Sequence, residues 1–127
     1  MNTPINPASV APPVANYSHA MLSVAPGRLL HTSGVVPTTS DGRVPTDLGE
    51  QALVVWSNIT NMLEAAGMTV SDIVSITTYV VQGQDLADVM AARDRAMAGH
   101  KPASTLLVVP ALARPEWLME IAVVAAA

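Results

Sequence analysis

A chain of 127 residues with 50% apolar and only 13% charged side chains has the length of one domain and too few polar groups to cover the surface that a domain this small exposes. Part of that surface is therefore expected to be buried against another copy of the chain. A formal net charge of −4, with the six basic residues scattered, argues against a nucleic-acid partner, which needs a concentrated positive face.

Without cysteine there is neither a disulfide nor a thiol nucleophile, and a reducing, cytoplasmic setting is the default expectation. No apolar run reaches the roughly 18 residues of a membrane span, so no membrane partner is expected. Residues 1–13 lack the positive charge and continuous apolar core of a secretory signal. Rich in Pro, Asn and Ala, they read as a flexible tail lying loosely over the surface, and residues 14–127 read as a single domain.

Along the chain, His19–Val24 and Arg28–Thr32 flank Ala25-Pro26-Gly27, a Pro-Gly turn. Two short strands joined as a hairpin are predicted. Ser33-Gly34-Val35-Val36-Pro37 closes the second, and Thr38–Thr46 is a polar loop with Asp41-Gly42 at its tip. The 3,4 spacing of Leu48, Ala52, Val55, Ile59, Met62, Leu63 and Ala66 predicts an amphipathic helix. Thr46 or Asp47 can cap its start, and Gly67 stops it; Trp56 and Asn58 fall off the centre of its stripe.

Ser71-Asp72 turns into Ile73–Val81, a β-branched run predicted as a central strand. Asp85 caps a second helix whose stripe is Leu86, Val89, Met90 and Met97. Gly99 ends it, and Pro102 prevents its continuation. Lys101–Val109 and Glu116–Val124 are two apolar runs of strand length around a loop from Pro110 to Pro115. The resulting order, ββαβαββ, predicts an α+β domain: a single mixed sheet with both helices on one face.

Glu120 is the conspicuous residue. It lies among Leu118, Met119, Ile121 and Val123, where a charge must find a partner, a hydrogen bond or a proton. Both a structural carboxylate at a subunit contact and a pocket acid fit that pattern. His19, His31 and His100 are far apart in sequence and no cysteine accompanies them, so no metal site is predicted. His31, within an apolar strand, reads as a hydrogen-bonded wall residue, and Met62, Met90 and Met97 read as packing residues. There is no Gly-rich phosphate loop, no Gly-x-Ser-x-Gly elbow and no His-Glu-x-x-His.

The order of several short motifs goes further. Ala15-Asn16-Tyr17-Ser18-His19-Ala20 resembles the Gly-Pro-Tyr-Ser-Gln-Ala segment of the RidA/YjgF family. Thr32-Ser33-Gly34-Val35-Val36-Pro37 is similar to that family's Ser-Gly-Gln-x-Pro strand end. Asn58-Ile59 with Leu63-Glu64-Ala65-Ala66-Gly67 resembles its first helix, and Ser71-Asp72-Ile73-Val74 with Thr77-Thr78-Tyr79-Val80 resembles its next strand. Pro102-Ala103 and Glu120-Ile121 match its C-terminal signature. The resemblance runs from about Val14 to Val124.

It implies a chorismate-mutase-like fold, a homotrimer with three interface clefts, and hydrolysis of small enamines and imines such as 2-aminoacrylate. No cofactor is implied. In the enamine/imine hydrolases an arginine after Pro-Ala holds the substrate carboxylate by a bidentate pair. A carboxylate in the position of Glu120 orients the attacking water, and residues in the positions of Tyr17 and Ser33 line the cleft. This chain departs from the pattern: Ser104 stands in the arginine's place, Met90 where a cleft asparagine is common, Val35 for the Gln after Ser-Gly, and Ala122 for the second Glu of Glu-Ile-Glu. The resemblance thus carries Glu120 as the catalytic residue, with Tyr17, Ser33, Gly34, Ser104, Thr105 and Met90 around a small ligand. Poor action on 2-aminoacrylate is expected, because the carboxylate anchor is gone. A non-catalytic binding or sensor module is the alternative.

Overall fold

The structure, a computed structural model, describes residues 1–127. Its elements run β1 (Asn2–Ile5), β2 (Ala20–Ser23), β3 (Leu29–His31), α1 (Leu48–Ala65), a 3-10 turn (Val70–Asp72), β4 (Ile73–Val81), α2 (Leu86–Met97), β5 (Ala103–Val109) and β6 (Met119–Ala126). The α+β class read from the sequence holds, with one strand more than expected.

Helix α1 starts where Asp47 caps it, its carboxylate accepting the Glu50 N–H at 3.0 Å, which satisfies one of the unpaired amides of the first turn. At the other end Gly67 takes φ +69°, and the Arg28 guanidinium donates to Ala66 O at 2.6 Å, placing a cation at the negative end of the helix dipole. Asp85 caps α2 by accepting from Ala87 N at 2.9 Å. That helix stops at Ala98, whose φ of 49° and ψ of 45° are left-handed.

Four strands form one mixed sheet in the order β3-β6-β4-β5. Strand β4 pairs parallel with β5 across the α2 crossover and antiparallel with β6. The β-branched run therefore occupies a central strand, as its composition predicts. Met119, Ile121, Val123 and Ala125 of β6 and Ile76 and Val80 of β4 are buried on one face, in a single cluster with Val55, Ile59 and Leu63 of α1 and Val89 and Met97 of α2. Both helices thus cover the same face of the sheet. Burying the α1 stripe alone removes several large apolar side chains from water, each contributing about 1.5–3 kcal/mol.

Two expectations about the N-terminal third are corrected. Residues 1–13 do not all lie loosely: Asn2–Ile5 pairs antiparallel with β2, and Asn2 Nδ2 donates to Ala126 O at 2.8 Å. Pro4 is tolerated because β1 has only one neighbour. The predicted hairpin does not form either, since β2 pairs with β1 while β3 joins β6. Ala25 instead takes φ +45°, and Gly27 and Arg28 N–H both donate to Ala127 O at 2.9 Å, diverting the chain to the far edge of the main sheet. The single sheet is consequently a four-stranded sheet plus a two-stranded ribbon. The last strand also begins three residues later than read, at Met119, because Glu116–Leu118 are spent on loop contacts.

Candidate functional site

Alternation along β6 puts Met119 and Ile121 against the helices and Glu120 and Ala122 on the open face. Across the register Tyr79 lies opposite Glu120, and Thr77 opposite Ala122. The segment after β3 is laid along the same strand by two backbone bonds, Val35 N to Ile121 O at 2.6 Å and Ile121 N to Val35 O at 3.1 Å. This brings Gly34 directly over the Glu120 side chain. A Cβ at position 34 would land on the Glu120 carboxylate, so glycine here lets that carboxylate approach the backbone closely rather than serving an unusual dihedral.

Gly34, Tyr79 and Glu120 line a cleft of about 420 Å³ whose other walls are Val109, Ala111, Leu112, Ala113 and Ala122. Glu120 is half-buried. The two ion pairs of the chain, Arg93–Asp94 and Arg114–Glu116, lie elsewhere, and no side chain donates a hydrogen bond to the Glu120 carboxylate. A carboxylate held at an apolar wall without a protein partner is free to hydrogen-bond a water or a ligand.

Gln51 anchors the loop that forms one wall. Its side chain is fully buried, with Nε2 donating to Pro45 O at 2.7 Å and Glu116 O at 2.8 Å and Oε1 accepting from Leu118 N at 2.9 Å. The buried amide thus spends both hydrogens and its oxygen on backbone groups, fixing the return of the β5–β6 loop onto α1. Arg114, which follows the cleft residue Ala113, lies 3.9 Å from Glu116 and 5.6 Å over the Trp117 ring.

The residues singled out in the sequence fall into two groups within one protomer. Gly34 and Glu120 meet at the cleft, and Ser33 flanks it in a neighbouring hollow of about 400 Å³ that also contains His31, Asn58 and Met62. Tyr17 and Ser104 lie by the start of β5, and Met90 is on α2. There Ser18 bridges to Ala103, Asn16 Nδ2 donates to Asp94 at 3.0 Å, and Arg93 Nη1 reaches Ser104 Oγ at 3.4 Å. Tyr17 stacks edge-on against His19, with ring centroids 5.9 Å apart.

Register separates the two hydroxyls of β5. Ser104 pairs with Ile76, on the helix-covered face, whereas Thr105 pairs with Thr77, on the face that carries Glu120. The sequence reading did not assign Tyr79 or the Ala111–Ala113 wall to the cleft; Tyr79 is placed there by strand pairing and Ala111–Ala113 by the path of the β5–β6 loop. Two bland readings also change: His31 is exposed rather than a hydrogen-bonded wall, and Met62 is 41% exposed, while Met97 is buried as expected. Nowhere do three or more His, Asp or Glu side chains converge to hold a metal ion, and no helix is long and apolar enough to cross a membrane.

A model of the family described as Endoribonuclease L-PSP matches residues 8–127. The chain belongs to the RidA/YjgF family. As a family member it is 30% identical to Protein HMF1 of Saccharomyces cerevisiae over 111 residues, covering 87% of this chain and 84% of that protein. It is 36% identical to the 2-iminobutanoate/2-iminopropanoate deaminase of Escherichia coli over 75 residues, 58% of this chain and 59% of the other. Among solved structures, a conserved Rid-family protein of unknown function from Yersinia pestis superposes with a TM-score of 0.85 at 33% identity, covering 99% of this chain and 98% of its own. The RidA/YjgF assignment thus spans the β6 strand and the cleft as well as the helices.

Proposed function

We propose that this RidA/YjgF chain binds a small metabolite in clefts completed between the copies of a homotrimer, and there promotes addition of water to an enamine or imine. The observation that carries the reading is Glu120: a half-buried carboxylate without a partner, seated against Gly34 in a mostly apolar cleft. A relative named for imine deamination supports the reaction class. In the chemistry, Glu120 accepts a proton from water as the oxygen attacks the C=N carbon and passes it to the nitrogen. It then takes the hydroxyl proton of the resulting carbinolamine and delivers it to the same nitrogen, so that C=O forms as the C–N bond breaks and ammonia leaves. One imine and one water yield one carbonyl compound and one ammonia: a C=O bond replaces the C=N bond, with no redox partner.

A neighbouring copy would bring the Tyr17 and Ser104 group toward Glu120, joining the halves that one protomer keeps apart. The acidic balance, net −4, supports a small-molecule rather than a nucleic-acid ligand, and the lack of cysteine fits a reducing cytoplasmic setting. Because Ser104 replaces the family's carboxylate-binding arginine, 2-aminoacrylate loses a charge-assisted anchor worth about 1.5–3 kcal/mol.

The test is a panel of imines and enamines assayed for carbonyl product, with 2-aminoacrylate included, on the wild type and on Glu120→Gln. The variant keeps shape and most hydrogen bonding while removing the base. It is expected to remain assembled and to bind the preferred compound but not turn it over, and 2-aminoacrylate is expected to be a poor substrate. Binding without turnover by the wild type would leave a non-catalytic binding module. Full turnover by Glu120→Gln would move the water-handling role to another residue.

A further inference from the structure

We infer that Asp41-Gly42 is a site of covalent backbone rearrangement, aspartate to isoaspartate, which the turn from Thr39 to Arg43 holds closed. The dipeptide sits at the tip of the loop before α1, apart from the residues that line the Glu120 cleft. Both residues are exposed. Gly42 takes φ +85°, and the space where a Cβ would stand is empty. No side chain therefore screens its amide nitrogen from the neighbouring carboxyl.

The reaction needs only this chain and water. The Gly42 nitrogen attacks Cγ of the protonated Asp41 carboxyl, an N–Cγ bond forms, and the carboxyl OH leaves with the amide hydrogen as water. A cyclic succinimide remains. Water then adds to the Asp41 main-chain carbonyl, the bond from that carbon to the Gly42 nitrogen breaks, and the backbone continues through Cβ and Cγ. One water is lost and one is gained, with no redox partner. Because the reacting groups are already joined through the chain, closure waits only on orientation and on two protons. The carboxyl must gain one, and the amide must release one.

The turn opposes both changes. Thr39 Oγ1 donates to Asp41 Oδ1 and accepts from Arg43 N at 3.0 Å. A bond of that kind favours the ionised carboxylate, and the Thr39 hydroxyl lowers the Asp41 pKa from its ordinary value, with Arg43 adding to the effect. The Gly42 N–H is spent on Thr39 O at 2.9 Å, and Thr39 N donates to Arg43 O at 2.8 Å, which closes the turn. An isoaspartate adds one backbone atom between Thr39 and Arg43, so these closing bonds no longer fit. The rearrangement thus releases a loop whose start is fixed to α1 by Asn58, whose Nδ2 donates to Thr38 O at 3.0 Å.

The experiment incubates the full-length protein at neutral pH for several weeks and measures isoaspartate in the peptide spanning residue 41, by mass spectrometry with electron-transfer fragmentation. The folded wild type is expected to convert about tenfold or more slowly than the same chain kept unfolded in guanidinium chloride, the factor that the bonds to Asp41 and Gly42 supply together. Thr39→Val, which exchanges the hydroxyl for a methyl, is expected to convert about threefold to tenfold faster than the wild type. Thr39→Ser, which keeps the hydroxyl, is expected to stay close to the wild-type rate. The comparison of folded and unfolded wild type stands as a test even if Thr39→Val does not fold. Equal rates in those two states would overturn the inference, as would a folded Thr39→Val that converts no faster than the wild type. An unfolded chain that forms no isoaspartate at residue 41 would remove the site itself.

Discussion

Gly34 shows how much of the site depends on one missing Cβ. Gly34→Ala has no backbone strain to overcome, because this residue is not among the positive-φ positions, but the new methyl would occupy the place of the Glu120 carboxylate. The side chain of Glu120 must then rotate away from the wall. Melting is expected to change little, by about 1 kcal/mol or less as for an exposed substitution, while binding at the cleft falls at least as far as in Glu120→Gln. A normal ligand affinity in Gly34→Ala would show that the carboxylate need not lie against residue 34. Glu120 and Gly34 were both legible in the sequence, one as a charge inside an apolar run and the other within a recognisable strand end. Tyr79 was not, because a residue's face depends on a register set by partners more than forty positions away. The same limit blurred Ser104 against Thr105: adjacent in sequence, they point to opposite faces.

The elements that hold the cleft divide by the range of their contacts. Both helices and β4 were legible because their signals are local: a 3,4 stripe, an Asp cap, a β-branched run. The ribbon of β1 and β2 was not, since its pairing joins residues 2–5 to residues 20–23 across a proline-rich stretch with no turn signature. Gln51 escaped for a similar reason, being a polar residue on a helix whose partners, Glu116 and Leu118, lie in a distant loop. Gln51→Leu would strip the part-buried Pro45 O, Glu116 O and Leu118 N of their side-chain partner, at a cost of about 1–3 kcal/mol, and should lower the midpoint of thermal unfolding. It should also loosen the Ala111–Ala113 wall, seen as faster amide exchange in residues 110–118. Unchanged exchange there would mean that the loop is held by its other contacts. Asp47→Ala serves as a control on the same helix: it removes the cap, costs about 1 kcal/mol, and should leave the loop's exchange alone.

At the scale of the molecule, the sheet has one face covered by helices and one face open. Tyr79, Ala122 and Val124 are half-buried there, and Leu107 and Val108 on the edge strand are 41% and 54% exposed. Together with the low charge content, this apolar open face suits burial against another copy of the chain. Light scattering after size exclusion is expected to give about three times the 13.2 kDa chain mass, in line with the proposed trimer. A monomer persisting at micromolar concentration would separate the two groups of site residues and remove the proposed shared cleft.

The strand order carries a further consequence, for synthesis. Strand β6 sits between β3 and β4, so the strand made last fills an interior position of the sheet. Until it emerges from the ribosome, β3 has no partner in the main sheet and β4 has only β5. The apolar residues of α1 and β4 wait beside an unfilled slot, a state prone to misassociation with other chains. Ribosome-bound chains halted before residue 119 should therefore be protease-sensitive across residues 29–81. Chains extended past residue 126 and clear of the exit tunnel should gain protection throughout in a single step.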